Sequence, residues 1–107
     1  MKKIYLACPY SHKDPKIRDE RFYAVSKKAG EIMQQGYTVF SPISHSHPID
    51  MIFDDPQDHG FWLKQDVHFI DWADEIWVLS LDGWLESYGV QWEIKYAKGQ
   101  GKEVKII

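Results

Sequence analysis

The chain has 107 residues, of which 44% are hydrophobic and 27% charged, with a formal net charge of −3. That composition is globular rather than disordered, and the length suits one domain, residues 1–107, with a core of its own. The mild acidity excludes the basic footprint that a nucleic-acid polymer or an anionic membrane requires, so the expected partner is a small molecule. The single cysteine, Cys8, can form no internal disulfide. With no apolar run long enough for a signal peptide or a membrane span, this leads to the expectation of a cytoplasmic location.

Ile4 to Cys8 is an apolar run closed by Pro9, which cannot continue a central strand, so the run reads as strand one. Asp14-Pro15 opens a helix, with Asp at the N-cap and Pro where a missing N–H is harmless. Phe22, Val25, Ala29, Ile32 and Met33 repeat at helical spacing, and Gly36 supplies the left-handed stop. Tyr37 to Phe40 is strand two, and joins this short imply a right-handed parallel crossover. Ser41 to Gly60 holds three Pro, three His and four Asp with little periodicity. It reads as a site loop carrying one short helix at Ile49 to Phe53. Phe61 to Trp72 is a second helix with Trp62, Phe69, Ile70 and Ala73 inward and Asp66 on the same stripe. Glu75 to Ser80 is strand three. Ser87 caps a third helix on which Val90, Ile94 and Ala97 share a face and Glu93 falls on or beside it. Val104 to Ile107 is the last strand. The expected fold is α/β: a small doubly wound, flavodoxin- or Rossmann-like parallel sheet of four to five strands in the order 2-1-3-4, with helices on both faces.

In such a sheet the loops Pro9 to Lys16, Ser41 to Gly60 and Asp82 to Tyr88 meet at the carboxyl edge, where ligands bind. Asp66 and Glu93 lie within reach of that edge. An acid on an apolar stripe is costly to bury unless it is paired or has work to do. Two such acids suit chemistry at an acetal-like carbon, one as nucleophile and one managing the leaving group's proton. The plainer accounts, a helix-start Glu favoured by the macrodipole and an Asp ion-paired with a neighbour such as Lys64, remain open at this level. His45, Ser46, His47 and Asp50 raise the question of a metal. On an extended segment the two histidines point the same way, but no third ligand has a recognised spacing, so neither metal nor other cofactor is expected.

Three stretches together resemble the nucleoside 2-deoxyribosyltransferase-like superfamily. Ile4 to Ser11 (IYLACPYS) is similar to its Tyr-bearing first strand and loop. Asp66 to Leu79 (DVHFIDWADEIWVL) is similar to its Asp-bearing segment ahead of Ala-Asp and an apolar strand. Ser87 to Val104 (SYGVQWEIKYAKGQGKEV) is similar to its Glu-bearing helix and closing Gly-Lys-x-Val strand. The segments around Pro9 and around Pro42 further resemble a compact bacterial and phage subgroup.

The resemblance implies that Glu93 is the nucleophile at C1′, that Tyr5 orients it, and that Asp66 contacts the base and helps protonate it as it leaves. Ser87 stands where many of the transferases carry Asp. A Ser there is similar to the branch that hydrolyses 2′-deoxynucleoside 5′-monophosphates, in which the hydroxyl and the helix N-terminus bind phosphate. Ser87 and Gly89 would serve that end, since a neutral donor at a positive helix end admits an anion. Pro9, Tyr10, Ser11 and His12 replace that branch's Gly-rich, Arg-bearing loop, and Lys13, Arg18 or Arg21 would have to stand in. His45 and His47 would line the base or phosphate site.

The expected activity is cleavage or transfer at the N-glycosidic bond of a (deoxy)nucleoside or its 5′-monophosphate through a covalent glycosyl–Glu93 intermediate, with nucleotide hydrolysis placed ahead of base transfer. The alternative is a non-catalytic nucleotide-binding module, a sensor or accessory factor, told apart by binding without product. A homodimer or higher homo-oligomer is expected as well. Five Trp and six Tyr exceed the needs of a core this size, no helix follows the last strand to shield its edge, and the superfamily resemblance implies that a partner subunit lends site residues. The interface is placed on helices two and three around Phe61, Trp62, Trp84, Tyr88 and Trp92.

Overall fold

The computed structural model describes residues 1–107. In chain order it contains β1 (Lys3–Ala7), α1 (Pro15–Gln34), β2 (Thr38–Phe40), α2 (Pro42–Asp50), α3 (His59–Trp72), β3 (Glu75–Val78), α4 (Tyr88–Gly99) and β4 (Glu103–Ile106). The four strands form one parallel sheet in the order β2-β1-β3-β4, as the sequence implied. The register sets Tyr5 opposite Phe40 on one side and Ile76 on the other. No helix is long and apolar enough to cross a membrane.

Alternation along the strands sorts side chains onto the two faces. Tyr5, Ala7, Ile76 and Val78 pack with Ile70 and Ala73 of the α3 end and with Val90 and Ala97 of α4. Leu6 and Cys8 point the other way, against Val25, Ala29 and Ile32 of α1, with Ile43 of α2 beside them. The helices therefore cover both faces, α3 and α4 on one and α1 and α2 on the other. Asp14 caps α1 by accepting from the Lys16 N–H, and Gly36 sits at φ 100°, the left-handed value that the chain needs to leave the helix for β2. Met33, expected inward, is half exposed.

The stretch after β2 departs from expectation. The helix there is α2, starting at Pro42, and Ile49 to Phe53 covers only its last residues and the turn beyond. The reason is local: Ser41 accepts from the Ser44 N–H and Pro42 takes the first helical position, the same cap-and-Pro grammar as Asp14-Pro15. α3 likewise begins two residues earlier than Phe61, at His59, because Asp58 caps it by accepting from the Phe61 N–H.

At the edge of the sheet where β3 and β4 begin, the buried carboxylate of Glu75 is held by Lys2 Nζ at 2.5 Å, Trp77 Nε1 at 2.9 Å and Lys105 Nζ at 3.4 Å. The bonds from Lys2 and Trp77 pull its carboxyl down to about 2 from 4.5. A depressed folded pKa gives stability that is present above the unfolded value and is lost as pH falls through the folded one. Glu75→Gln should therefore lower the Tm at neutral pH, and the gap to the parent should close as the pH is brought to about 2; thermal melts across that range check it.

Candidate active site

A cleft of about 200 Å³ opens at the carboxyl edge of the sheet. Typical small-molecule pockets hold roughly 300–1,000 Å³, so this one is small for its kind. Its walls come from regular elements. α2 contributes Ile43, Ser46, His47 and Asp50; α3 contributes His59, Trp62, Leu63 and Asp66; α4 contributes Gly89 and Glu93, with its cap Ser87; Cys8, Tyr10 and Ser11 follow β1; and Gln57 and Asp58 precede α3. The α2 and α3 contributions each fall at i, i+3, i+4 and i+7, one face of a helix.

Glu93 is 6% exposed, on the inward stripe of α4 with Val90 and Ala97. It occupies that stripe because Tyr5 of β1 points to the same face and its hydroxyl donates to Glu93 Oε2. Tyr5 is completely buried behind the cleft and is not part of its lining. Burial, then the charges of Glu93 and Asp66, hold the Tyr5 phenol well above its usual range, so it stays a donor. Burial pushes the Glu93 carboxyl up to about 8; the Tyr5 hydrogen bond works against this and the nearby Asp66 charge adds to it. Asp66 is 8% exposed, makes no side-chain hydrogen bond within the protein, and is pushed up to about 7 by burial. Carboxylates so coupled titrate as a pair, and between those two values the pair holds close to one proton. The Tyr5 bond favours the charge on Glu93 while its burial favours the proton there, so the two acids share that proton.

Ser87 Oγ accepts from the Val90 N–H at 3.3 Å and caps α4, so the residue that faces the cleft also starts the helix that carries Glu93. Arg21 ties the loop after β1 to the loop after β3, donating to the Ser11 carbonyl at 3.1 Å and the Asp82 carbonyl at 2.9 Å. Gly83 makes that possible: its φ is 90°, and a Cβ there would stand 3.0 Å from the Arg21 guanidinium.

Of the residues picked from sequence, Glu93, Asp66, Ser87, Gly89, Tyr10, Ser11 and His47 come together in the cleft, and Tyr5 reaches it through Glu93. Three do not line it. Pro9 is fully buried beneath it. His12 belongs to a separate shallow depression and uses Nδ1 to accept from the Asp14 N–H at 3.0 Å. His45 is exposed, with its ring against Phe40 and Phe69. Because α2 is helical, His45 and His47 are about 200° apart around the axis, not side by side as on a strand. Lys13, Arg18 and Arg21, offered as phosphate contacts, are absent from the wall, and both arginines are bonded to backbone carbonyls. Of the aromatics assigned to an interface, Trp84 and Trp92 pack on the core and Trp62 lines the cleft, while Phe61 and Tyr88 stay exposed. Asp58, His59, Gln57 and Leu63 were not singled out from sequence, although an Asp three residues before Phe61 is a readable helix cap.

Over residues 2–107 the sequence matches the family described as Domain of unknown function (DUF1937). The chain belongs to the DUF1937 family. This DUF1937 chain is also similar in structure to a 2-deoxyribosyltransferase from the psychrotolerant bacterium Bacillus psychrosaccharolyticus. The two share 28% sequence identity at a TM-score of 0.69, over 97% of this chain and 70% of that one. No curated protein sequence matches it. The two matches together support a nucleoside 2-deoxyribosyltransferase-like superfamily for the DUF1937 chain.

Both acids of the cleft have folded pKa values above their unfolded ones, so they contribute stability that is full below about 4 and is lost as pH rises toward about 8. Glu93→Gln keeps an acceptor for Tyr5 and removes the buried charge. It should raise the Tm at pH 9 by about 4–8 °C, the equivalent of about 1 kcal/mol in a domain of this size. The gain should vanish below pH 4.5, as calorimetric melts at the two pH values would record.

Proposed function

We propose that this chain transfers or hydrolyses the glycosyl group of a deoxynucleoside, with Glu93 as nucleophile at C1′. The observation that carries the reading is the buried Glu93 carboxylate that accepts from Tyr5 beside a second, unbonded acid, Asp66, in one cleft. The likeness to a 2-deoxyribosyltransferase supports it. In the first half-reaction a Glu93 oxygen attacks C1′, the C1′–N bond breaks, and its electron pair leaves on the base as Asp66 delivers its proton there. In the second, water or another base attacks C1′ while Asp66 takes the proton back and the ester electron pair returns to Glu93. Tyr5 contributes by steadying the charge that reappears on Glu93, and both acids sit near the pH at which proton transfer is most effective.

The wall carries four carboxylates, Asp50, Asp58, Asp66 and Glu93, and no Lys or Arg. That favours a nucleoside without phosphate over a 5′-monophosphate, because the N-terminus of α4, already capped by Ser87, would alone have to hold the anion against them. Pairing with a second copy is part of the proposal. The exposed Phe61 and Tyr88 adjoin the cleft residues Trp62 and His59, and light scattering that reports a stable 12.6 kDa monomer with activity unaffected by dilution would sink that part alone.

The experiment is incubation with deoxynucleosides and with their 5′-monophosphates, each with and without an acceptor base, read by chromatography. The expected result is base release or exchange from the nucleosides, at least about 10³-fold slower for Glu93→Ala. The rate should be bell-shaped in pH, its limbs the two titrations of the coupled pair near 7 and 8 and not those of either acid alone, and Asp66→Asn should remove the alkaline limb. Binding of nucleosides with no product after long incubation would move the chain to a sensor or accessory role.

A further inference from the structure

Beyond Tyr5, Asp66 and Glu93, a second linked set of polar side chains reaches the cleft through the buried His47. His47 is 7% exposed and has both ring nitrogens engaged. Its Nε2 is 3.3 Å from Asp19 Oδ1 on α1, and its Nδ1 meets the Tyr10 hydroxyl from the loop after β1. Phe22 of α1 stacks on the imidazole at 4.4 Å and 27°, and Tyr10 stands edge-on to it at 5.4 Å. The ring is thus held from two elements, α1 and the loop after β1. Only Tyr10 and His47 of this chain of contacts line the cleft.

The order of donors follows from what each partner can do. A carboxylate only accepts, so the nitrogen beside Asp19 carries the proton, and in the neutral imidazole Nδ1 is left bare. The Tyr10 O–H must then be spent on Nδ1. Arg18 also comes within hydrogen-bonding reach of the phenol, so what the oxygen has left to offer the cleft it lines is a lone pair and no proton. The glycosyl chemistry above makes no use of it.

Resting on the nucleoside reading above, we infer that Tyr10 is a specificity-determining contact: its oxygen, oriented by His47 and Asp19, accepts a hydrogen bond from one N–H or O–H donor of the bound nucleoside. A base amino group and a sugar hydroxyl offer the same chemistry, and the substrate series distinguishes them. His47 and Asp19 act through Tyr10 and are positioning residues. Asp19 is well exposed, so replacing it tests orientation without opening the core.

The test compares kcat/KM of the parent, Tyr10→Phe and Asp19→Ala on deoxyadenosine and on analogues that each lack one donor: purine 2′-deoxyriboside, the 3′-deoxy and the 5′-deoxy nucleosides. Tyr10→Phe should lose about tenfold on deoxyadenosine, the worth of one neutral hydrogen bond. On one analogue, the one without the donor that Tyr10 reads, the parent should fall by a similar factor and Tyr10→Phe should lose nothing more. Asp19→Ala should show the same substrate pattern with a smaller loss. An equal loss on every analogue, or no loss on any, overturns the inference and leaves the nucleoside reading standing. A parent that neither turns over nor binds any of the four, by calorimetry, overturns both.

Discussion

The hydrogen bond from Tyr5 to Glu93 joins a central strand of the sheet to the helix that carries one of the cleft's two buried acids. β1 is paired on both sides, by β2 and β3, so the phenol rises from a backbone with no freedom to follow its partner. A carboxylate buried to 6% exposure costs several kcal/mol unless something offsets it. One donor from a phenol that is itself kept protonated offsets part of that, and the rest remains as a carboxyl whose pKa is lifted to about 8. Stability is given up at the place where the proposed chemistry would need a group close to its titration point.

The remainder of the site is arranged around that fixed acid. α3 presents Asp66 from the opposite side on the same periodic face as His59, Trp62 and Leu63, and α2 closes the third side with Ile43, Ser46, His47 and Asp50. These walls are held by caps and ties rather than by a large core: Ser41, Asp58 and Ser87 start the three helices, and Arg21 bridges two of the loops between strands and helices. The result is acidic and short of cations. A ligand that brings hydrogen-bond donors and no negative charge fits it on elementary electrostatics.

Most of the frame was legible because it depends on local signals. Strand order follows from apolar runs joined by short right-handed crossovers, and α1 and α4 follow from Asp14-Pro15 and Ser87 with the periodic residues behind them. Glu93 and Asp66 could be picked out because an acid on an apolar stripe breaks the pattern. The region after Phe40 was misread as a loop because its residues, Ser, His and Pro, are weak helix formers, although Ser41-Pro42 carried the same cap signal as Asp14-Pro15. That misreading placed His45 beside His47 when the helix turns them apart, and it hid the face formed by residues 43, 46, 47 and 50. The Tyr10, His47 and Asp19 contacts join three elements distant in sequence, and no periodicity within one segment reports such a meeting.

The account stands or falls on a covalent bond between sugar and Glu93. Peptide mass mapping of the protein quenched while it turns over a deoxynucleoside bearing fluorine at C2′, which slows release of the sugar from the ester, tests it directly. The account predicts a fluorodeoxyribosyl adduct on the peptide that contains Glu93 and none in Glu93→Gln. Turnover with no adduct, or an adduct on any other residue, would contradict it.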